Sequence, residues 1–415
     1  LFSDYPNLVR LNPSVPWKTR GNGAVSLRLL VDSESTIDDI AGLLVEKLEE
    51  YVSGLRDPKH QPCIVVHSGS IPGVFEYIAE KALYDIVPLS LVERALTRTP
   101  ATRVYCLNGR RGLVGAVAAI GYTMRRGDHT YELLAYRLRE NCGKPRCVDP
   151  NSVVEVDKLH GGEMILNYDY EAERVLVTPR GPDPILLGLR GENPVVLLEA
   201  FKHLKICEPV EYIAVYRTNQ HTDSHIHPVS SICSIRPYMC VSVKGKVSSK
   251  PRRHTGGHLF FDLCDPDCCV TVAVYEPAKE LRDVVELLEV GDVVEVYGCA
   301  RPPSSKHELT VNLEKIKVIE LAEVYVHENP KCPVCSSRMK SAGRNKGYKC
   351  VKCGFKDPTA TKLARRVERK LTPGWYQPPK HAFKHLMKPI ERMGREKREF
   401  KGGPVRDFIF KLLQS

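Results

Sequence analysis

Long apolar runs are missing from this chain. No stretch reaches the roughly 18 residues that a membrane-spanning helix needs. A secretory leader pattern is missing from the first residues as well. Aromatic residues are scarce, at 7%, and only two are tryptophan. No internal repeat is detectable. Carboxylates are scarce in one place. Residues 331–415 hold 23 Lys+Arg against 6 Asp+Glu, a balance of +17, while residues 1–330 carry −6. A basic end on a slightly acidic body suits a protein that grips a polyanion with one part and does chemistry with another.

What is present is length and cysteine. At 415 residues the chain is too long for one core, which implies several domains. Its 15 cysteines are an odd number scattered through a chain without secretory features. The expectation is a reducing, cytoplasmic setting without a disulfide framework, most of the cysteines being buried or incidental.

Five segments can be read in order. Residues 1–102 alternate strands (24–31, 63–67) with helices (37–55, 73–84), an α/β pattern. Residues 103–236 predict a second α/β or α+β domain, with helices at 113–120 and 194–203 and strands at 163–167, 174–178 and 212–216. Residues 237–327 read as five strands with one helix between the third and fourth, the order of an OB-fold barrel. Residues 328–358 contain Cys332-x2-Cys335 and Cys350-x2-Cys353, 14 residues apart. Two such turns facing each other give a tetrahedral thiolate set, so we read a structural zinc ribbon. Lys340, Arg344, Lys346 and Lys349 decorate it and suit phosphate contact. Residues 359–415 read as a basic C-terminal tail.

Four polar stretches exceed what a scaffold needs. Lys18 and Arg20 precede the Gly21-Asn22-Gly23 turn. Ser68 and Gly69 follow an apolar strand, where ligands of α/β sheets sit. The sequence YRTNQHTDSHIH (216–227) carries Arg217, Asn219, Gln220, His221, Asp223 and His225, which supply anion donors, amides and a possible base at His221. Finally, TPRGPDPILLGLRGE (178–192) holds Asp183 on a proline-stiffened loop, suited to a guanidinium or an amine.

These stretches occur in one order with HTYELLAYR (129–137) and YQPPKHAFKHLMKPIERM (376–393). Together they resemble the archaeal 2-agmatinylcytidine synthetases of the minor isoleucine tRNA, along essentially the whole chain. The resemblance implies a multidomain α+β architecture: a kinase-like α/β domain, a ferredoxin-like domain, an OB-fold and a zinc ribbon. It implies ATP, Mg2+ and agmatine, and attachment of the amine to C2 of the wobble cytidine in the CAU-anticodon isoleucine tRNA. By resemblance, Lys18, Arg20 and the Gly21–Gly23 turn line the ATP and cytidine pocket, together with the loop from Arg217 to His225. Asp183 and Asp223 are the carboxylates available to agmatine, and the C-terminal modules grip the tRNA body. An obligate protein partner is not expected. The family's opening Asp-rich strand-loop and its threonine-bearing loop have no counterpart here, so the kinase-like domain is expected to be N-terminally incomplete. Two other readings follow from the same modules. One is a tRNA-binding protein without activity. The other is an OB/zinc-ribbon protein for single-stranded DNA, which the few aromatics of the barrel strands do not favour.

Overall fold

The computed structural model describes residues 2–18, 21–54, 60–124, 127–305, 307–397, 399 and 408–411. The first half of the chain runs β1 (Asn7–Arg10), β2 (Gly23–Ser26), α1 (Glu34–Ser53), β3 (Cys63–His67), α2 (Gly73–Tyr84), α3 (Leu89–Leu96), β4 (Thr102–Cys106), α4 (Leu113–Gly121), β5 (Thr130–Arg137), α5 (Pro150–His160), β6 (Tyr168–Asp169), β7 (Arg174–Val175), β8 (Ile185–Gly191), α6 (Pro194–His203) and β9 (Val210–Thr218). Helix starts follow local chemistry. Asp149 and Asn193 cap α5 and α6 with their side chains, and proline holds the first turn of each.

The opening strands do not stay within the first domain. β1 lies antiparallel to β2 and parallel to β9, and the sheet runs β2-β1-β9-β5-β8. Helices α5 and α6 cover one face of it, packing Val153, Val156 and Leu197 over Leu133, Leu187, Leu189 and Val215. A second core gathers α2, α3 and α4 around Phe75, Ile78, Val92, Leu113 and Val117. Gly121 permits the close crossing of α2 and α4: a Cβ there would lie 2.1 Å from the Phe75 carbonyl oxygen.

The third part comprises β10 (His227–Pro228), β11 (Cys240–Val247), β12 (Arg252–Arg253), β13 (Leu259–Cys264), β14 (Cys269–Val274), α7 (Lys279–Glu286), β15 (Val293–Arg301) and β16 (Thr310–Glu320). Pairing runs β11-β15-β16-β14-β13, and a β11–β13 contact closes the barrel. This is the expected five-stranded OB-fold, with α7 between its third and fourth strands and its core dominated by valine and leucine.

The ribbon follows, in β17 (Tyr325–Glu328), β18 (Lys340–Ser341), β19 (Tyr348–Lys349), β20 (Lys356–Asp357) and β21 (Leu363–Arg366). Beyond it, the segment read as a basic tail is largely a strap. β22 (Gly374–Tyr376) pairs with β16 of the barrel, and residues 380–397 cross to the ferredoxin-like sheet. β23 (Ile409–Lys411) then pairs with β9. Buried Arg392 pins this crossing by donating to Asp128 (2.7 Å) and Glu192 (2.6 Å).

Several readings need correction. The strand read over 174–178 covers only Arg174–Val175. The strand expected over 24–31 stops at Ser26, because its partner β1 begins at Asn7, opposite Ser26. No strand covers 163–167. There the Asn167 side chain donates to the Arg190 carbonyl (2.8 Å) and accepts from the Arg190 N–H (3.0 Å), replacing a strand neighbour. The cysteines form five disulfides: 63–106, 147–207, 233–268, 240–299 and 264–269. Three of these join directly opposed residues of paired strands, an adjacency created by folding and invisible in spacing.

Candidate active site

The open face of the ferredoxin-like sheet is the floor of a cavity of about 910 Å³. Glu132 and Leu134 of β5 and Gly188 and Arg190 of β8 form that floor. Gly188 keeps it low: a Cβ there would approach Glu132 Oε1 and Leu134 Cδ2 to 3.1 Å. One wall is the end of β1, with Arg10, and the opening loop after it, with Lys18, Gly21 and Asn22. A second is the proline loop, from Thr178 to Asp183. The third is the strap, with Lys380, His381, Lys384 and His385. Seven Lys/Arg line the cavity against two carboxylates, Glu132 and Asp183. Such a lining suits phosphate, with the two acids left to face cationic groups.

The loop after β9 organises this cavity from behind. His221 and Asp223 hold left-handed backbone (φ 58° and 59°), a cost for residues with a Cβ that surrounding bonds must offset. Those bonds are present. His221 N–H donates to the His385 carbonyl (2.8 Å), Asp223 N–H to Leu386 (2.9 Å), and Thr222 Oγ1 to the Asn219 carbonyl (2.7 Å). Asn219 is fully buried. It accepts from the Arg10 N–H (2.7 Å) and donates to the Arg10 carbonyl (2.9 Å). Gln220 is also buried, donating to Glu132 and accepting from His385 Nδ1 (3.1 Å). These two amides therefore set Arg10, Glu132 and His385, which do line the cavity.

His221 lines the cavity with Nδ1 3.0 Å from the Met387 carbonyl, which makes Nδ1 the donor and leaves Nε2 without a protein partner among the described residues. Burial, then the charge of Arg190, keeps it neutral well below the ordinary histidine range. Burial likewise pushes His385 down to about 3, helped by Arg10 and Arg190. Both rings are neutral hydrogen-bonding groups at working pH. His221 has the lone pair of a base but weak basicity, so it orients a partner better than it holds a proton.

Other expected residues stand elsewhere. Arg217 is fully buried, donating to Asp4 and to the Met124 carbonyl (2.9 Å). Asp223 is absent from the lining; its carboxylate takes Lys315 Nζ and the Lys388 N–H (2.8 Å). Ser68, half-buried, and Gly69, exposed, stand at the end of β3, outside the cavity. Gly23 begins β2 beside the turn and is also outside the lining. Arg20 lies outside the described residues.

Several lining groups escaped the sequence reading. Arg10 and Glu132 sit inside plain strands, and the strap looked like part of a tail. Arg146, outside the lining, also escaped it: its guanidinium donates to the carbonyls of Pro179 (2.7 Å), Gly181 (2.7 Å) and Ile185 (2.8 Å), folding the proline loop around itself. Only the alternation of HTYELLAYR, which turns Glu132 to the face opposite Leu133, hinted at an acid on the open side.

In the ribbon, Cys332 and Cys353 lie 3.4 Å apart, as do Cys335 and Cys350, and all four sulfurs gather within 4.8 Å. All four are free thiols. Hydrogen bonds from Ser337 hold the Cys335 thiol down to about 6, which favours a thiolate. The set fits one tetrahedral zinc. Lys340, Arg344, Lys346 and Lys349 are exposed, and Lys340 and Lys349 stand opposite each other across β18 and β19. Directly opposed like charges repel, so a polyanion would stabilise this surface.

Comparison with known proteins agrees with this architecture. Family models match residues 3–108 (TiaS TCKD domain), 110–225 (TiaS FLD domain), 241–319 (OB-fold nucleic acid binding domain) and 329–371 (TiaS C-terminal zinc ribbon domain). The isoleucine-tRNA 2-agmatinylcytidine synthetase TiaS of Staphylothermus marinus is 48% identical over 403 residues, covering 96% of this chain and 87% of that protein. The one of Archaeoglobus fulgidus is 37% identical, covering 95% and 90%. Among solved structures, a complex of TiaS with its isoleucine tRNA and ATP superposes with a TM-score of 0.83 at 36% identity, covering 95% of this chain and 89% of that one. A complex of TiaS with the same tRNA, AMPCPP and agmatine gives 0.80 at 33%, with the same coverage. The single-stranded-DNA reading explains only the barrel and ribbon, whereas the matches extend through the first 225 residues.

Proposed function

Because this chain belongs to the family of isoleucine-tRNA 2-agmatinylcytidine synthetases, we propose that it joins agmatine to C2 of the wobble cytidine of the CAU-anticodon isoleucine tRNA, using ATP. The observation that carries this reading is the cationic cavity over the ferredoxin-like sheet, walled by segments from three parts of the chain. The product base, agmatidine, pairs with A, so the anticodon reads AUA. Since tRNA and ATP are cytoplasmic substrates, we assign the protein to the cytoplasm.

The chemistry sets what the cavity must do. The C2 oxygen of cytosine is a poor leaving group. Transfer of a phosphoryl group from ATP, with ADP as the other product, converts it into a phosphate ester. Agmatine's amine nitrogen then attacks C2, the C2–O bond breaks, phosphate departs with the electron pair, and the amine loses a proton. Mg2+ enters as the ion that ATP carries and offsets phosphate charge. The wobble base must leave its stack to reach such a pocket.

The residues support a division of these tasks. Lys18 and Arg10, with the Gly21-Asn22 turn between them and the strap, are suited to phosphate. Glu132 and Asp183 are the acids on the cavity, and they suit the two cationic ends of agmatine. His221 Nε2 offers an acceptor for the attacking amine. In the C-terminal third, the barrel and the ribbon cations suit the tRNA body. Zinc, held by Cys332, Cys335, Cys350 and Cys353, would supply the ribbon's folding free energy and take no part in the reaction.

The test is mass spectrometry of the wobble nucleoside after incubation with unmodified tRNA, ATP, Mg2+ and agmatine. A mass gain matching agmatidine is expected. An unmodified cytidine, with tRNA still bound, would overturn the ligase reading in favour of binding alone.

A further inference from the structure

Lys18 and Lys384 line the same cavity, one on the opening loop and one on the strap. Their charges act on each other. After burial, Lys384 is what pushes the Lys18 ammonium below its ordinary value. Lys18 has no carboxylate partner among the described residues; its Nζ donates to the Pro13 carbonyl.

Lys384 is fixed from behind. Its Nζ donates to Glu314 Oε1 at 2.9 Å, and Glu314 Oε2 accepts from His225 Nε2 at 2.8 Å. Glu314 belongs to β16 of the barrel and is buried. Burial would raise its carboxyl, but Lys384 and His225 outweigh that and hold it well below the ordinary range. The barrel therefore spends a buried carboxylate on holding one ammonium towards another. Alone, that juxtaposition is unfavourable. With an anion between the two, it becomes a binding site.

We propose that Lys18 and Lys384 form a clip for one phosphate group of a nucleotide substrate, with Glu314 as the positioning residue that holds Lys384 from the barrel. This rests on the ligase reading, which supplies two sources of phosphate: ATP and the backbone at the wobble nucleotide. Both demand the same chemistry, two point charges converging on oxygen. The clip would also make the site depend on the barrel, since the strap lysine is set by a barrel side chain.

The test uses the full chain and direct binding. Lys384→Met removes the charge from a side chain that is 49% exposed and leaves His225 on Glu314, and denaturant unfolding of the variant checks that the fold is kept before affinities are compared. Lys384→Arg keeps the charge. Dissociation constants for ATP and for tRNA are measured, the latter across a salt series. A tenfold or larger weakening for ATP, restored by Lys384→Arg, assigns the clip to ATP. A comparable weakening for tRNA, with a salt slope shallower by about one, assigns it to the wobble nucleotide. Wild-type affinity for both overturns the clip. Glu314→Gln should weaken the same ligand and add little on top of Lys384→Met; fully additive losses would overturn its positioning role. The wild-type product mass is read separately, so failure of the ligase reading is distinguishable from failure of the clip.

Discussion

At the scale of single residues, the cavity separates groups that face a ligand from groups that hold those groups. Lys18, Gly21, Asn22, Asp183 and His221 were legible in the sequence and meet at one cavity. Arg217, Asn219 and Gln220 come from the same polar run but turn inward. A polar loop after a strand looks alike whether its side chains grip backbone or substrate, so the sequence alone could not sort them. Glu132 was illegible because an acid on a buried strand signals only a face. Its charge gives a sharp expectation: Glu132→Gln keeps a partner for Gln220 but removes the anion. The KM for agmatine should rise about tenfold or more, equivalent to about 1.4 kcal/mol, with tRNA affinity unchanged. Steady-state kinetics with varied agmatine checks this. The buried histidines give a second. His129 is pushed down to about 4 and His385 to about 3, in each case chiefly by burial. Between those values and the ordinary 6.5, the unfolded chain binds more protons than the folded one. Stability should therefore fall as pH drops below about 6.5, by up to ~1.4 kcal/mol per pH unit for each ring. Denaturant unfolding at pH 7 and pH 5 measures it, and His385→Gln should reduce the slope.

At the scale of elements, legibility followed local chemistry. The capped, proline-started helix Pro194–His203 read correctly to the residue, whereas Pro150–His160, capped in the same way by Asp149, went unread because its few apolar residues give a weak periodic signal. Strand ends depended on distant partners, as at Ser26, and so did not. The ribbon was legible because four thiols at that spacing have few other uses. Cys335→Ser should unfold it, weaken tRNA binding and reduce the salt slope; melting of the ribbon's signals and a filter-binding salt series would show this. The strap was illegible as an element, since its bonds reach across as many as 269 residues of sequence. Arg392 carries much of it. Burial alone would make that guanidinium easier to deprotonate, but Asp128 and Glu192 more than offset this and keep it charged. Arg392→Ala would strand those carboxylates and should cost about 3–5 kcal/mol, read from the denaturant midpoint.

At the scale of the whole molecule, the uneven charge was legible from composition, and it survives in the fold as basic ribbon and strap against a more acidic body. The disulfides were not legible. Redox compartment is an average rule, and intracellular proteins of hyperthermophilic organisms are an exception to it. Nor did spacing reveal that one cavity would draw walls from both ends of the chain. A version ending at residue 373 should keep barrel and ribbon and still bind tRNA. Without the wall at 380–386 it should form agmatidine at least about 10²-fold more slowly, as misplaced reacting groups do. Single-turnover assays of the wobble nucleoside would measure that loss.

The strap also gives this protein a history in time. Residues 380–397 and 409–411 are synthesised after everything they pack on, yet they supply a cavity wall and an edge strand of a sheet whose first strand is Asn7–Arg10. Barrel and ribbon can mature while the chain is still growing. The sheet and the cavity must wait with one side open. A ribosome stalled late in the message would therefore hold a protein equipped to grasp tRNA but not yet able to alter it.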